Sequence, residues 1–365
     1  MKVLLINEEN LKNNIELIKQ MSEESNTKII AVVKGNGYGI GIVEYTKFLI
    51  GNGIDFFAVS SVEEAITLRN AGIQKEILML TPIAIKEELE VLIANNITLT
   101  IDSEKICNLI EEICESKQKN IKVHIKIDTG FGRHGFLYND IESVLNIIKN
   151  LDKIKVEGIY SHLATSLAKS NRYVDIQYKR FINVIRELEK NNIEFKYKHI
   201  CNSTAFLKYT DMRMNTARIG SAFLGMTGNS NDQFKTVSKL KTKVIEVKEL
   251  PKGFDIGYGR TYKTKKNTKI AIIPVGYQDG FGMTIKDQRF KFLSKVKKLI
   301  DNMLGVCNIN YETVIINKKT YNVIGQIGMC SSIIDVTETD IKEGEDVYIN
   351  IRPLFVNSKI ERNII

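Results

Sequence analysis

The stretch Ala31-Val32-Val33-Lys34-Gly35-Asn36-Gly37-Tyr38-Gly39 joins a short apolar run to a lysine and a glycine-rich loop. The β-branched residues predict a strand, and the glycines predict a turn directly after it. Lys34 would then lie at the strand end in apolar surroundings, which lower the pKa of an ammonium group and make the amine a usable Schiff-base nucleophile. The same pattern also fits a strand that ends in a solvated lysine, so the rest of the chain must decide.

Strand-like runs alternate with helical patterns over the first two thirds of the chain. Helices are predicted at Asn10–Met21, at Asp175–Leu188, and from the capping box Ser61-Val62-Glu63-Glu64 to Gly72. Eight β-α units over roughly 230 residues predict a (β/α)8 TIM-type barrel, with a doubly wound sheet as the alternative. The predicted strands are Lys28–Lys34, Phe56–Ser60, Glu76–Leu80, Thr98–Ile101, Lys122–Ile127, Val156–His162, Lys198–Asn202 and a short one near Arg218.

The pattern changes near Val237, where strand-like runs recur with turns and little helix. We therefore predict an α/β chain with an N-terminal barrel over residues 1–235 and a C-terminal, mostly β domain over residues 236–365. The predicted strands of this second domain are Thr242–Val247, Lys269–Val275, Val314–Ile316, Tyr321–Ile324 and Asp346–Ile351.

Composition narrows the classes of function. The net charge is +9, but there is no Trp and no aromatic residue lies among the clustered lysines, so the pattern does not favour a nucleic-acid platform. The densest lysine clusters are Lys263–Lys266 and the trio Lys295, Lys297 and Lys298. A solvated surface is the simpler interpretation of these lysines, and a cationic site for a phosphorylated ligand is compatible with them.

The cysteines and apolar runs bear on location. Five scattered cysteines without a C-x-x-C pair argue against a disulfide framework and structural zinc, and fit a reducing cytoplasm. The apolar runs are too short to span a membrane, and the run in Met1–Ile6 is too short for a signal peptide. We therefore expect a cytoplasmic protein with no bound metal, no nucleic-acid partner and no membrane contact. The cysteines are Cys107, Cys114, Cys201, Cys307 and Cys330.

In a barrel, the carboxyl ends of the strands carry the active site. The Gly220 turn and the hydroxyl groups of Ser203 and Ser221 fall where barrels commonly bind a phosphate, at late loops and a helix N-terminus. A lysine nucleophile opposite such a phosphate cradle indicates pyridoxal phosphate as the ligand. The candidate catalytic and binding residues at the predicted strand ends are Lys34 with Tyr38, Lys126 to Arg133, Ser161-His162, His199 to Ser203, and Arg218 to Ser221.

These motifs, taken in order, resemble those of the fold-type III pyridoxal-phosphate-dependent alanine racemases over essentially the whole chain. The lysine loop Val32 to Gly39, the run Lys126 to Arg133 and Ala217-Arg218-Ile219-Gly220 are similar to barrel motifs of that family. In the second domain, Gly257 to Tyr262 and Pro274 to Gly280 resemble its two signatures. The resemblance implies an amino-acid racemase that interconverts L- and D-alanine by two-base proton transfer on a pyridoxal phosphate aldimine.

The resemblance also implies roles for individual residues. Lys34 would bind the cofactor and act as one base, while Tyr258 from the other subunit of a homodimer would act as the opposite base. Lys126 is a candidate for the carbamylation found in many relatives. The remaining cofactor-binding residues would be Tyr38, His162 against the ring, Asn202, Ser203, Arg218 at the pyridine nitrogen, Gly220 and Ser221. The substrate-binding residues would be Arg133, Met329 and Tyr277.

Several positions differ from the family pattern. The usual Cys-Met-Asp reads Gly328-Met329-Cys330, Ile40 replaces a common histidine, and Ser358 falls near the place of a tyrosine. Because these changes lie on the substrate side, serine or a longer amino acid is the alternative substrate. A non-catalytic pyridoxal-phosphate-binding protein is a second alternative, although such proteins resemble the barrel alone. A fold-III decarboxylase is a third, although its cofactor nitrogen normally faces a carboxylate.

Overall fold

The computed structural model describes residues 2–168, 170–227, 233–283 and 312–365. They form two compact units, one of Glu8–Val237 and the other of Met1–Asn7 with Ser238–Ile365. The sequence-based division placed residues 1–7 with the barrel. The structure places them in the second unit because strand β1, Val3–Ile6, pairs with two strands of that unit.

Eight parallel strands close the barrel of the first unit. They form two runs, β10-β2-β3-β4 and β5-β6-β8-β9. Two contacts join these runs into a closed barrel. A parallel bridge between Leu78 and Thr98 links β4 to the start of β5, and the amide of Arg218 in β10 donates to the carbonyl of Cys201, just after β9. The TIM-type barrel prediction is therefore confirmed and the doubly wound alternative is excluded. The strands are β2 Lys28–Val32, β3 Phe56–Val59, β4 Glu76–Met79, β5 Leu99–Ile101, β6 Ile121–Asp128, β7 Phe136–Leu137 (a short side strand on β6), β8 Ile154–Tyr160, β9 Tyr197–His199 and β10 Thr216–Ile219.

Helices follow the barrel strands in sequence and bury one apolar face. In α8, for example, Phe181, Val184, Ile185 and Leu188 are buried, as the 3.6-residue period predicts. The helices are α1 Glu8–Glu24, α2 Lys34–Tyr38, α3 Ile42–Gly51, α4 Val62–Asn70, α5 Lys86–Ala94, α6 Glu104–Ser116, α7 Ile141–Lys149, α8 Arg172–Lys190 and α9 Ser203–Lys208. Among the described residues, none of these helices is long and apolar enough to cross a membrane.

The second unit is built from strands. A six-stranded sheet has the order β17-β16-β19-β11-β1-β20, and a three-stranded sheet has the order β12-β15-β18. The strands are β11 Ser238–Lys243, β12 Glu246–Leu250, β13 Asp255–Ile256, β14 Tyr262–Lys263, β15 Thr268–Ile273, β16 Thr313–Ile316, β17 Lys319–Asn322, β18 Ser332–Asp335, β19 Asp346–Ile349 and β20 Glu361–Ile364.

One predicted strand, Thr242–Val247, is wrong. The chain leaves one sheet and enters another inside this segment: the amide of Val244 donates to Glu345, and the amide of Ile245 donates to Ile272. The apolar pair therefore marks a crossing between sheets rather than the middle of a strand. The lysine trio 295, 297 and 298 and Cys307 lie outside the described residues.

Candidate active site

One cavity of about 420 Å³ opens at the carboxyl ends of the barrel strands. Residues that the sequence singled out on separate strands meet there, because parallel strands of a barrel end at the same face. Those that line it are Lys34, Tyr38, Lys126, Arg133, His162, Asn202, Ser203, Arg218, Gly220 and Ser221.

The loop after strand β2 is a left-handed helical turn. From Gly35 to Tyr38 four consecutive residues have φ between 53° and 65°. The amide of Gly37 donates to Val33 and that of Gly39 to Gly35, both at 2.9 Å. For residues other than glycine this conformation costs about 1–2 kcal/mol each, so Asn36 and Tyr38 carry strain that the two glycines do not. The turn places Lys34 at its start and Tyr38 at its end, both facing the cavity.

The surroundings of Lys34 favour its neutral amine. Burial lowers the pKa of Lys34, the positive charges of Arg133 and Arg218 lower it further, and the carboxylate of Glu64 opposes the shift. Only the neutral amine attacks a carbonyl carbon. The environment thus supplies what the sequence predicted for a desolvated lysine at a strand end.

Ser203, the Gly220 turn and Tyr38 line the same cavity as the lysine and form a candidate anion cradle. The hydroxyl of Ser203 accepts hydrogen bonds from the amides of Gly220 (3.0 Å) and Ala222 (3.3 Å). A Cβ atom at Gly220 would lie 2.5 Å from the Tyr38 hydroxyl, so glycine keeps the space beside that hydroxyl open. Burial raises the pKa of Tyr38 to about 12, so its hydroxyl stays protonated and can donate a hydrogen bond. Asn202 caps helix α9 by accepting from the amide of Ala205.

Arg218 is buried without a carboxylate partner among the described residues, and neutral acceptors surround it. Its guanidinium donates to the Nδ1 atom of His199 (2.6 Å), to the carbonyl of Ser161 (2.7 Å) and to the Nδ1 atom of His162 (3.2 Å). Burial lowers the pKa of Arg218 to about 10, which still leaves it charged at neutral pH. The site therefore holds a full positive charge that no anion of the described chain neutralises.

A chain of hydrogen bonds extends from Arg218 into the barrel. Because the arginine can only donate, His199 must accept at Nδ1, carry its proton on Nε2 and donate to the Nδ1 atom of His124, 2.9 Å away. The Nε2 atom of His124 is buried and has no hydrogen-bond partner among the residues that the structure describes. Burial, followed by Arg218, lowers the pKa of His124 to about 3. A Cβ atom at Gly158 would lie 2.6 Å from this ring, so glycine is needed beside it.

Strand β6 supplies Lys126 and then the loop that carries Arg133. Burial lowers the pKa of Lys126 to about 8, and the charges of Arg218 and Arg133 act in the same direction. The carboxylate of Asp128 accepts from the four successive amides of residues 130 to 133, at 2.8 to 3.2 Å. That carboxylate fixes the loop, and Arg133 stacks on the ring of Phe131 at 4.5 Å.

The second unit holds the other three predicted residues, all exposed within the chain. Tyr258 is 74% exposed and begins a turn in which Gly257 and Gly259 have positive φ; Tyr277 and Met329 are 49% and 55% exposed. The amide of Tyr277 donates to Gly328, and the carbonyl of Met329 accepts from the amide of Gln278, so two of these residues lie on adjoining loops.

Sequence reasoning missed three residues that hold the site. Glu64 was assigned only to a capping box. Ser61 does accept from the Glu64 amide, but the Glu64 carboxylate bonds to Ser60 and to the lysine turn instead of the cap residue. Asp128 and His199 lie inside motifs that the sequence singled out, yet nothing local shows which atoms they contact.

The fold and cavity define a class: a (β/α)8 barrel, joined to a β unit, with three features at its strand ends. These are a half-buried amine, an arginine without a carboxylate partner among the described residues, and a candidate anion cradle. Comparison with known proteins identifies a family with this domain organisation. The family described as alanine racemase, N-terminal domain, matches residues 6–228, and the corresponding C-terminal domain matches residues 237–354. The chain belongs to the alanine racemase family, whose members are isomerases.

Individual relatives match over most of the chain. Alanine racemase 2 of Caldanaerobacter subterraneus subsp. tengcongensis is 34% identical over 353 residues, which is 94% of this chain and 84% of the relative. The alanine racemase of Methanococcus maripaludis is 34% identical over 272 residues, 73% of this chain and 72% of the relative. A solved alanine racemase structure from Clostridium difficile 630 has a TM-score of 0.86 at 28% identity and covers all of this chain and 95% of that one.

Proposed function

We propose that this protein interconverts L- and D-alanine with pyridoxal phosphate as its cofactor. The observation that carries the proposal is the left-handed turn, which puts the half-buried amine of Lys34 in one cavity with the Gly220 cradle and Arg218. Family membership, with relatives named alanine racemase, supports alanine as the substrate.

The residues of the cavity fit the cofactor. Lys34 would form the covalent bond to it, and Tyr38, Ser203 and Ser221 would bind the phosphate together with the backbone beside Gly220. Asn202 contributes by capping helix α9 under that cradle. The cofactor supplies an electron sink for the charge left when a substrate loses its α-proton.

Arg218 and His162 would contact the ring of the cofactor. An always-charged donor at the pyridine nitrogen disfavours protonation there, which curbs side reactions that need a stronger electron sink. Neutral acceptors around Arg218 preserve this charge, because no carboxylate among the described residues compensates it. The hydrogen bond from Arg218 to His162 would hold the imidazole beside that ring.

Two bases on opposite faces of the α-carbon would move the proton. Lys34 would exchange a proton with one face of the α-carbon and Tyr258 with the other. A proton removed from one side is then replaced from the opposite side. The exposure of Tyr258, Tyr277 and Met329 within a single chain fits a site completed in a homodimer, where Tyr258 of one protomer faces the barrel of its partner.

Arg133, Met329 and Tyr277 would orient the substrate carboxylate. The pKa of about 8 for Lys126 leaves part of that amine neutral at physiological pH, as its proposed carbamylation requires. We also propose a cytoplasmic location, because the four described cysteines Cys107, Cys114, Cys201 and Cys330 are unpaired.

The function is tested by following the chiral composition of alanine incubated with the protein and pyridoxal phosphate, starting from each pure enantiomer. Parallel incubations with serine and with a longer amino acid decide the substrate. Faster conversion of serine than of alanine would overturn alanine as the substrate and leave the racemase assignment in place.

A further inference from the structure

Glu64 connects the ends of two neighbouring barrel strands through one carboxylate. Its Oε1 atom accepts from the amides of Gly35 (2.5 Å) and Asn36 (3.3 Å), directly after the strand that carries Lys34. Its Oε2 atom accepts from the amide of Ser60 (3.0 Å), directly after strand β3. The side chain belongs to the first turn of helix α4, which is itself anchored by the hydroxyl of Ser61.

These contacts occur where the left-handed turn needs an acceptor. The amides of Gly35 and Asn36 open the turn, and the bond from Gly37 to Val33 is the first one made inside it. Opening amides of a helical turn have no partner within the turn, so a side chain or water must accept from them. A carboxylate satisfies both, and charge-assisted bonds of this kind are stronger than neutral ones. Among the residues that the structure describes, this carboxylate is the anion that opposes the lowering of the Lys34 pKa.

We propose that Glu64 is a positioning residue for the reaction: its carboxylate holds the strained turn that aims Lys34 and Tyr38, and its charge tunes the reactivity of the Lys34 amine. The inference rests on the proposed function for the role of that amine. It adds a residue outside the cavity lining, acting through the backbone of Gly35 and Asn36.

Three variants separate geometry from charge. Glu64→Gln loses the charge and turns an amide donor toward backbone donors. Glu64→Asp keeps the charge and shortens the reach by one methylene. Glu63→Gln is the matched control, because Glu63 is exposed on the same turn of α4 and forms no hydrogen bond or ion pair with the lysine turn. Each full-length protein is stripped of cofactor and checked for folding by circular dichroism.

The first measurement is the equilibrium binding of pyridoxal phosphate. Losing charge-assisted hydrogen bonds should weaken binding about 10- to 100-fold in Glu64→Gln. Glu64→Asp should bind more weakly than wild type, and Glu63→Gln should bind like wild type. Hydrogen exchange of the peptide containing Gly35 and Asn36 should be slow in wild type, a result that needs no variant to fold.

The second measurement is the pH midpoint for acylation of the Lys34 amine by a small lysine reagent, read by mass spectrometry. The groups that face this amine are Arg133 and Arg218, which lower its pKa, and Glu64, which raises it. Removing the carboxylate should therefore move the midpoint to lower pH in Glu64→Gln, with little change in Glu64→Asp. A role in folding alone would leave this midpoint unchanged.

Wild-type binding and an unshifted midpoint in Glu64→Gln, or fast exchange at Gly35 and Asn36 in wild type, would overturn the role of Glu64. Acylation of Lys34 needs no cofactor, so the role of Glu64 can be tested even if the proposed function is wrong. A wild-type protein that binds no pyridoxal phosphate at Lys34 contradicts the proposed function, while the midpoint still decides whether Glu64 acts on the amine.

Discussion

At the scale of single residues, the site depends on groups whose ordinary charge is altered by burial. Lys34 and Lys126 have lowered pKa values, Tyr38 has a raised one, and Arg218 stays charged without a carboxylate among the described residues. Burial is the largest cause of the pKa shift in each case. Burial has the same effect on His124, which lies deeper in the barrel. Its neutral ring accepts the last hydrogen bond of the chain that runs from Arg218 through His199.

His124 should make unfolding take up a proton in mild acid. Folded His124 has a pKa of about 3, against about 6.5 in an unfolded chain, so at pH 5 it is neutral when folded and charged when unfolded. Stability therefore falls as pH drops through this window. We expect His124→Gln to take up about one proton fewer than wild type on urea unfolding at pH 5, measured by potentiometry. The difference in proton uptake between the two proteins should vanish at pH 8. Equal uptake at pH 5 would contradict a neutral His124 in the folded protein.

At the scale of elements, short turns after the barrel strands position the side chains that line the cavity. The left-handed turn after β2 faces Lys34 and Tyr38 into the cavity, and Asp128 anchors four amides of the loop after β6. Inside the barrel, Gly158 on β8 leaves room for the ring of His124 on β6, at a place where the register of these strands shifts.

Gly158→Ala should destabilise the protein. The added Cβ atom would lie 2.6 Å from the His124 ring, and overpacking of this kind costs about 1–3 kcal/mol. Gly51→Ala is the control, because a Cβ atom there meets nothing within 4 Å and should be neutral or stabilising by up to about 1 kcal/mol. Thermal unfolding of the two variants beside wild type measures both effects. An unchanged midpoint in Gly158→Ala would show that the ring can move aside.

The sequence predicts the local parts of this structure better than the long-range ones. Each barrel strand, and the meeting of Lys34, Arg218 and Gly220 at one face, follows from periodicity and strand ends. Glycines predict a turn after Lys34, but they predict neither its hand nor the carboxylate of Glu64 that accepts from its opening amides. The pairing of β1 with β11 and the change of sheet after Val244 leave no local pattern, because alternation records burial and not the identity of the neighbouring strand.

At the scale of the whole molecule, we propose that the reaction uses two copies of the chain. The amine belongs to the barrel unit and Tyr258 to the β unit, where 74% of its surface is exposed. A two-fold dimer would create two equivalent composite sites, each with one base from each subunit. This arrangement would also cover Tyr277 and Met329.

Subunit complementation tests that arrangement. Lys34→Ala and Tyr258→Phe should each be inactive or nearly so, since loss of a positioned base costs about 10²–10⁴-fold in rate. After subunit exchange in an equal mixture, about a quarter of the sites should contain both bases, because half the dimers are mixed and each has one intact site. Activity near that fraction supports shared sites. No recovery after demonstrated exchange would mean that each chain supplies both bases to its own site.

The enantiomer ratio of alanine at equilibrium shows whether this protein is an alanine racemase. Two enantiomers have equal free energy, so a racemase must reach equal amounts of L- and D-alanine from either pure starting form. We expect this end point for the wild-type protein with pyridoxal phosphate, and no conversion by folded Lys34→Ala. Optically pure alanine after prolonged incubation with the folded, cofactor-bound wild type, or conversion that survives the loss of Lys34, would contradict it.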